Sequence, residues 1–308
     1  MYVYLPIAEI PINVLLILGM GLAVGFLSGM FGIGGGFLLT PLLIFTGVPP
    51  AVAVATQTGQ IAAASFSGML AYWRRKAIDM RLALVLLAGG LLGTVVSVWL
   101  FAVLRRMGQL DLVIALGYVF FLGIVGTIML AESLRAISRA RSGKPPMLRK
   151  PGQHIWLHRL PLKMRFPRSR IYLSAVSVLS LGAVIGLLGA ILGIGGGFML
   201  VPALVYLLRV PAALVVGTSL FQIVFTMAAA CILHAVVNQS IDLVLAILLM
   251  VGSVIGAQLG AQAGQKLKAE HLRAALALLV LAVGARFAVT LVVPPPDPYS
   301  LTVEKGAH

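Results

Sequence analysis

Six stretches of this chain contain no Asp, Glu, Lys or Arg: Pro11 to Trp73, Leu82 to Leu104, Leu112 to Ala131, Ile171 to Leu208, Val210 to Ile241 and Leu243 to Gln265. Each meets or exceeds the roughly 20 residues that a helix needs to cross hydrocarbon. With 60% of residues hydrophobic, 10% charged and a mean hydropathy of +1.07, the water-soluble globular classes are excluded. A transmembrane barrel is excluded as well, because its strands alternate polar and apolar residues instead of running unbroken. The expected fold class is an all-α integral membrane protein.

The formal net charge is +15, and eleven of the 23 Lys and Arg fall between Arg135 and Arg170. Charge placed between membrane spans reads as a cytoplasmic loop held by the positive-inside rule, attracted secondarily to anionic membrane lipids. Nucleic-acid binding would need a basic patch or domain of its own and is not expected. The single cysteine, Cys231, stands in an apolar run without a partner for a disulfide, metal or redox motif, and is read as a small core residue. The opening apolar helix lacks an amino-terminal Lys or Arg and is read as retained.

The sequence is one unit written twice. Gly25 to Pro41 lies over Gly186 to Pro202, sharing Gly-Ile-Gly-Gly-Gly-Phe and the following proline. The match continues through Val48-Pro49 and Val210-Pro211, Thr56 and Thr218, Gln60-Ile61 and Gln222-Ile223, Ile78-Asp79 and Ile241-Asp242, and Gly89 with Gly93 against Gly252 with Gly256. The expected organisation is a first membrane repeat over 1–131, a basic linker over 132–170, a second repeat over 171–293 and a polar tail over 294–308. Each repeat reads as about four spanning helices plus a short discontinuous element at the glycine cluster. Three adjacent glycines are a poor helix interior. Pro41 and Pro202 lack the amide hydrogen a continuing helix needs, while Pro49, Pro50 and Pro211 suit the first turn of a new one.

Inverted repeats are favoured over parallel ones on charge. Inversion gathers Arg74-Arg75-Lys76 with Arg81, the central basic segment, and Lys266, Lys268 and Arg273 on one side, and places the weaker Arg105-Arg106 pair on the other. It requires the short element near Leu38 to Thr46 to count as a crossing.

Irregular backbone in a membrane is tolerated where it lines a buried or wet cavity. A helix restarting at Phe37 or Phe198 would point free amides and its positive dipole end into that cavity, so two converging breaks would form one anion site near the midplane. The candidate substrate-binding residues are Gly34, Gly35, Gly36, Thr56, Gln57 and Gln60 in the first repeat, with Gly195, Gly196, Gly197, Thr218, Ser219 and Gln222 in the second. Thr56 with Gln60, and Thr218 with Gln222, share a helical face and offer neutral donors that bind an anion without a buried charge. The same groups would serve equally for hydrogen bonds between helices. Nucleotide-binding glycine motifs do not fit the spacing.

Gly252, Gly256, Gly260 and Gly264, with the shorter Gly89 and Gly93, read as close helix-packing faces. Arg74, Arg75 and Asp79, after Tyr72-Trp73, read as a membrane-surface anchor. His234 reads as a helix-end hydrogen-bonding group, and Arg209 is the charge nearest either break. Eight scattered Asp and Glu and five His without ligand spacing supply no catalytic set and no metal site, so neither an enzyme nor a cofactor is expected.

The residues Gly32-Ile-Gly-Gly-Gly and Gly193-Ile-Gly-Gly-Gly, with Pro41, Pro202, Thr56, Gly217-Thr218-Ser219 and Asp79, resemble the sulfite exporter TauE/SafE family of bacterial membrane proteins, within the toluene-sulfonate uptake permease superfamily. The resemblance spans nearly the whole chain outside the basic joint and the tail. It implies a multi-pass secondary transporter of the bacterial inner membrane, exporting a small sulfur-containing anion such as sulfite, sulfoacetate or another organosulfonate by alternating access. Protons are the candidate coupling ion and a homodimer the candidate assembly. A passive anion channel and a non-transporting scaffold subunit are the rival expectations.

Overall fold

The computed structural model describes residues 2–31, 36–141, 163–166, 168–169, 171–208, 210–263 and 269–292. Gly34, Gly35, Arg209, Gly264, Lys266, Lys268, the tail and most of the basic joint lie outside the described residues. The fold is an all-α membrane architecture carrying two short hairpins. In chain order, β1 (Tyr2–Leu5) pairs antiparallel with β2 (Ile10–Asn13). Then follow α1 (Val14–Phe31), the short α2 (Gly36–Phe45), α3 (Pro50–Arg74), α4 (Met80–Arg106) and α5 (Leu110–Arg141). The order repeats as β3 (Lys163–Phe166) paired with β4 (Ile171–Ser174), α6 (Ala175–Leu192), the short α7 (Gly197–Pro202), α8 (Ala212–Leu233), α9 (Leu243–Ala263) and α10 (Ala269–Val292).

Five of the described helices, α4, α5, α6, α8 and α9, contain spans long and apolar enough to cross a membrane. The central α3 falls outside that group because it carries Thr56, Gln57, Thr58, Gln60 and Ser65, all buried within the bundle rather than facing lipid. Lipid-facing stripes are apolar, as with Leu92, Val95, Val96 and Trp99 on α4.

In the second copy the clustered glycines act through backbone conformation. Gly193 closes α6 at φ +64°, and Gly195 and Gly196 follow at +78° and +72°, a left-handed region closed to most side chains. α7 then passes into a π turn over Ala203–Leu207, just past Pro202, which cannot donate to an α ladder. α8 likewise ends in a π turn over His234–Asn238.

Helices pair across the repeats rather than within them. On α9, the positions that Cβ atoms of Gly256 and Gly260 would occupy lie 2.1 and 1.9 Å from the carbonyl oxygens of Leu22 and Phe26 on α1. On α4, Gly89 and Gly93 stand equally close to the Leu179 and Ala183 carbonyls of α6. These are the glycine faces that the sequence spacing marks for tight packing. Residue numbers ascend together along both pairs, so α1 runs parallel to α9 and α6 parallel to α4.

Equivalent helices run oppositely. On α3, Gly59 adjoins Cys231 while Gly68 adjoins Leu220, so α3 and α8 are antiparallel. Gly126 of α5 meets Leu281, and Gly284 of α10 meets Leu122, giving the same sense. α1 and α6 therefore point in opposite directions, the relation of two inverted units about an axis across the bundle. The short α2 begins level with the middle of α3, where Gly36 abuts Ile61, and returns to the end at which α3 starts.

Candidate substrate site at the paired glycine breaks

The two breaks meet face to face. Phe37 opens α2 and Phe198 opens α7, and their rings stack with centroids 4.3 Å apart and planes 16° from parallel. Phe121 of α5 presents its edge to Phe198 at 5.8 Å. A Cβ on Gly36 would lie 2.7 Å from the Ile194 carbonyl oxygen and 2.4 Å from Ile61, and one on Gly195 would strike Ile61 at 2.6 Å. The sequence therefore needs glycine here to let two backbones and the middle of α3 share one point.

Polar groups around that point are distributed unequally. On the first-repeat side, Gln57 donates its side-chain amide to the Gly36 carbonyl at 3.0 Å, and the Thr40 hydroxyl lies 2.7 Å from Gln57 Oε1 and 3.3 Å from the Gly193 carbonyl. The Tyr118 hydroxyl donates to the Leu192 carbonyl, securing the last turn of α6. On the second-repeat side, Val201 stands in place of Thr40 and Ser219 in place of Gln57. The Ser219 hydroxyl is buried without a protein partner, as are Oε1 of Gln60 and of its equivalent Gln222. The Gln222 amide sits over Gly90, where a Cβ would come 2.4 Å from Nε2.

Thr56 and Thr218 occupy equivalent seams between the repeats. The Thr56 hydroxyl accepts from the Asp242 amide at 2.9 Å, and the Thr218 hydroxyl accepts from the Asp79 amide at 3.2 Å. These are interhelical bonds. Each Asp in turn caps its own helix, accepting from Leu245 or Leu82, and ties down the opposite repeat's hairpin: Asp242 accepts from the Ile7 amide at 3.0 Å, Asp79 from the Ser169 amide at 2.9 Å and hydroxyl at 2.6 Å.

The structure thus brings Gly36, Gln57, Gly195, Gly196 and Gly197 to the break, holds Thr56 and Thr218 in the seams, and leaves Gln60, Ser219 and Gln222 buried with spare bonding capacity. Gly34 and Gly35 lie outside the described residues. Asp79 is not the surface anchor that its basic neighbours suggest: it is 1% exposed and fully engaged. The repeated Ile-Asp pair was the available signal for these two carboxylates. Thr40 and Tyr118 gave none, since Thr40 has no polar counterpart in the second repeat. His234 makes the helix-end bond expected of it, its Nδ1 lying 2.9 Å from the Asn238 side-chain nitrogen. Among the described residues no group of three His, Cys, Asp or Glu is placed to hold a metal ion.

The sequence profile described as "Sulfite exporter TauE/SafE" matches residues 17–287. The chain is 29% identical over 270 residues to a Bacillus subtilis protein named "Probable membrane transporter protein YjnA", covering 87% of this chain and 96% of that protein. It is 30% identical over 219 residues to a "Probable membrane transporter protein" of Xylella fastidiosa, covering 68% and 70%. Over 66 residues, 21% of this chain and 14% of the relative, it is 36% identical to "Sulfite exporter TauE/SafE family protein 3" of Arabidopsis thaliana. No solved structure matches the chain. With apolar spans, paired glycine breaks and a profile match across both repeats, the chain belongs to the sulfite exporter TauE/SafE family of membrane proteins.

Proposed function

We propose that this protein is a secondary transporter that exports a small sulfur-containing anion, sulfite or an organosulfonate such as sulfoacetate, across a bacterial inner membrane by alternating access. The observation that carries the reading is the meeting of two broken helices at Phe37 and Phe198, together with a buried Ser219 hydroxyl on α8 that has no protein partner and is free to donate. Helices restarting at a break turn their first amides toward it, and neutral hydroxyl and amide groups can add donors without placing a cation in the membrane. Transporters built from inverted repeats use this plan.

The seams supply the moving parts. Thr218–Asp79–Ser169 closes one end of the bundle and Thr56–Asp242–Ile7 the other. Rocking one repeat against the other would loosen one seam while the other stays shut. The basic groups Arg74, Arg75, Lys76 and Arg81 mark the first end, at which α5 finishes and α10 begins, as the cytoplasmic one.

The test is counterflow in proteoliposomes. Vesicles loaded with unlabelled sulfite or sulfoacetate should accumulate labelled anion, with a saturable rate. Ser219→Ala should slow uptake at unchanged melting temperature. Flux that never saturates and shows no counterflow would identify a passive channel, and no anion flux at all would leave a scaffold.

A further inference from the structure

At the end where α3 gives way to α4 lies a cavity of about 470 Å³ lined by Trp73, Arg74, Lys76, Ile78, Met80 and Arg168. We propose that this cavity binds the phosphodiester headgroup of an anionic phospholipid, with the acyl chains lying along the adjoining outer face of α3 and α8. It is distinct from the glycine breaks and independent of which anion is carried.

Three cations from two elements converge here. Arg74 ends α3 and Lys76 stands in the turn that follows it, and Arg168 comes from the hairpin turn, which one guanidinium nitrogen anchors by donating to the Ile78 carbonyl. A guanidinium has further N–H donors beyond that one, arranged for phosphate oxygens. Asp79, whose chain neighbours Ile78 and Met80 line the cavity, has its carboxylate committed to Ser169 and Leu82.

The fold does not demand this charge. The inverted counterpart of the α3–α4 connection, Val237-Asn238-Gln239-Ser240-Ile241, carries no Lys or Arg, yet it is followed by the same Asp cap and tied to the same kind of hairpin. The Asp seam is common to both ends, whereas Lys and Arg within the connection itself belong to one.

Lipid rather than a free oxyanion is indicated by what lies beside the cavity. Phe66, Leu70 and Trp73 follow one another along one exposed face of α3, and Trp73 stacks on Phe221, which meets the exposed Phe225 of α8. An apolar strip ending in an indole, immediately followed by cations, is the profile of a side-chain set at the membrane–water boundary. A zwitterionic headgroup would bring its own cation against three others, so an anionic one fits better. The volume also far exceeds a single small oxyanion.

The full chain, purified in detergent, is titrated with short-chain phosphatidylglycerol and, separately, with phosphatidylcholine of equal chain length, reading bound lipid by native mass spectrometry and stability by thermal melting. Phosphatidylglycerol should bind in preference, weakening as salt rises. Arg74→Gln with Lys76→Gln should reduce its affinity by roughly thirtyfold, whereas Arg106→Gln, at the opposite end, should not change it. Trp73→Ala, which keeps all three cations, should weaken lipid binding while preserving its salt dependence. Equal binding of the two lipids, or undiminished binding by the double variant, would overturn the proposal. So would inorganic phosphate that displaces the lipid at matching concentration, since that would make the cavity a free-anion vestibule.

Discussion

Gly19 and Gly25 lie on the same face-to-face helix pair yet should respond to alanine with opposite sign. At Gly25 a Cβ would stand 2.3 Å from the Ser253 carbonyl oxygen and 2.6 Å from its Cα, all rigid backbone of α9. Carbon–oxygen contacts relax at about 3.3–3.6 Å, so α1 and α9 must part by roughly 1 Å. Separation on that scale forfeits packing along the whole seam, and overpacking of this kind costs about 1–3 kcal/mol. At Gly19 nothing lies within 4 Å of the new methyl. There alanine only gains helix propensity, about 0.8–1 kcal/mol. Thermal melting followed by circular dichroism should therefore order Gly19→Ala at or above the parent and Gly25→Ala below it. Gly186→Ala, which would come 2.2 Å from the Gly90 carbonyl in the equivalent α6–α4 seam, should fall with Gly25→Ala. Alkylation of Cys231, the one cysteine, gives a second reading of unfolding. If Gly25→Ala and Gly186→Ala melt with or above Gly19→Ala, the helices are not held by backbone contact and the reasoning fails.

Asp242→Ala should cost about 0.5–2 kcal/mol through loss of the α9 cap, and should speed hydrogen exchange across residues 2–13, because the Ile7 amide loses its acceptor. Gln57→Ala strips partners from Thr40 and the Gly36 carbonyl, so melting should drop by about 1–3 kcal/mol. Ser219→Ala removes a hydroxyl without a protein partner and should leave melting within about 0.5 kcal/mol of the parent while anion flux falls. Tyr118→Phe deletes the bond to the Leu192 carbonyl and should lower stability by about 0.5–1.5 kcal/mol, measured in the same melts.

Much of the architecture was legible because repetition and helix breaking are local. The paired Gly-Ile-Gly-Gly-Gly clusters fall where α1 and α6 give way to α2 and α7, whereas Pro41 and Pro202, expected to stop a helix, lie inside α2 and at the last residue of α7, and the four-residue glycine spacing marks the faces that pack. The hairpins before α1 and α6 were not legible, since each is held by an Asp more than 80 residues away in the other repeat. Asp79 misled for the same reason: a carboxylate among arginines looks exposed until its remote partners are known. At the breaks, residue types were readable but their division of labour was not. Thr56 and Gln60 are equally polar on one helix, yet one is engaged across a seam and the other has an unsatisfied oxygen. The Thr40–Gln57 pair breaks the symmetry through a threonine whose equivalent is valine, a difference that alignment of the two copies conceals.

The crossed pairing of helices also dictates when assembly can finish. α1 finds its glycine-face neighbour only in α9, and α4 only in α6, so neither half of the polypeptide owns a complete interior. During synthesis the first segment to enter the bilayer must wait, its small-residue groove bordered by lipid, until nearly the last one arrives. A truncation that removes α9 and α10 would consequently leave α1 and α5 without their mates.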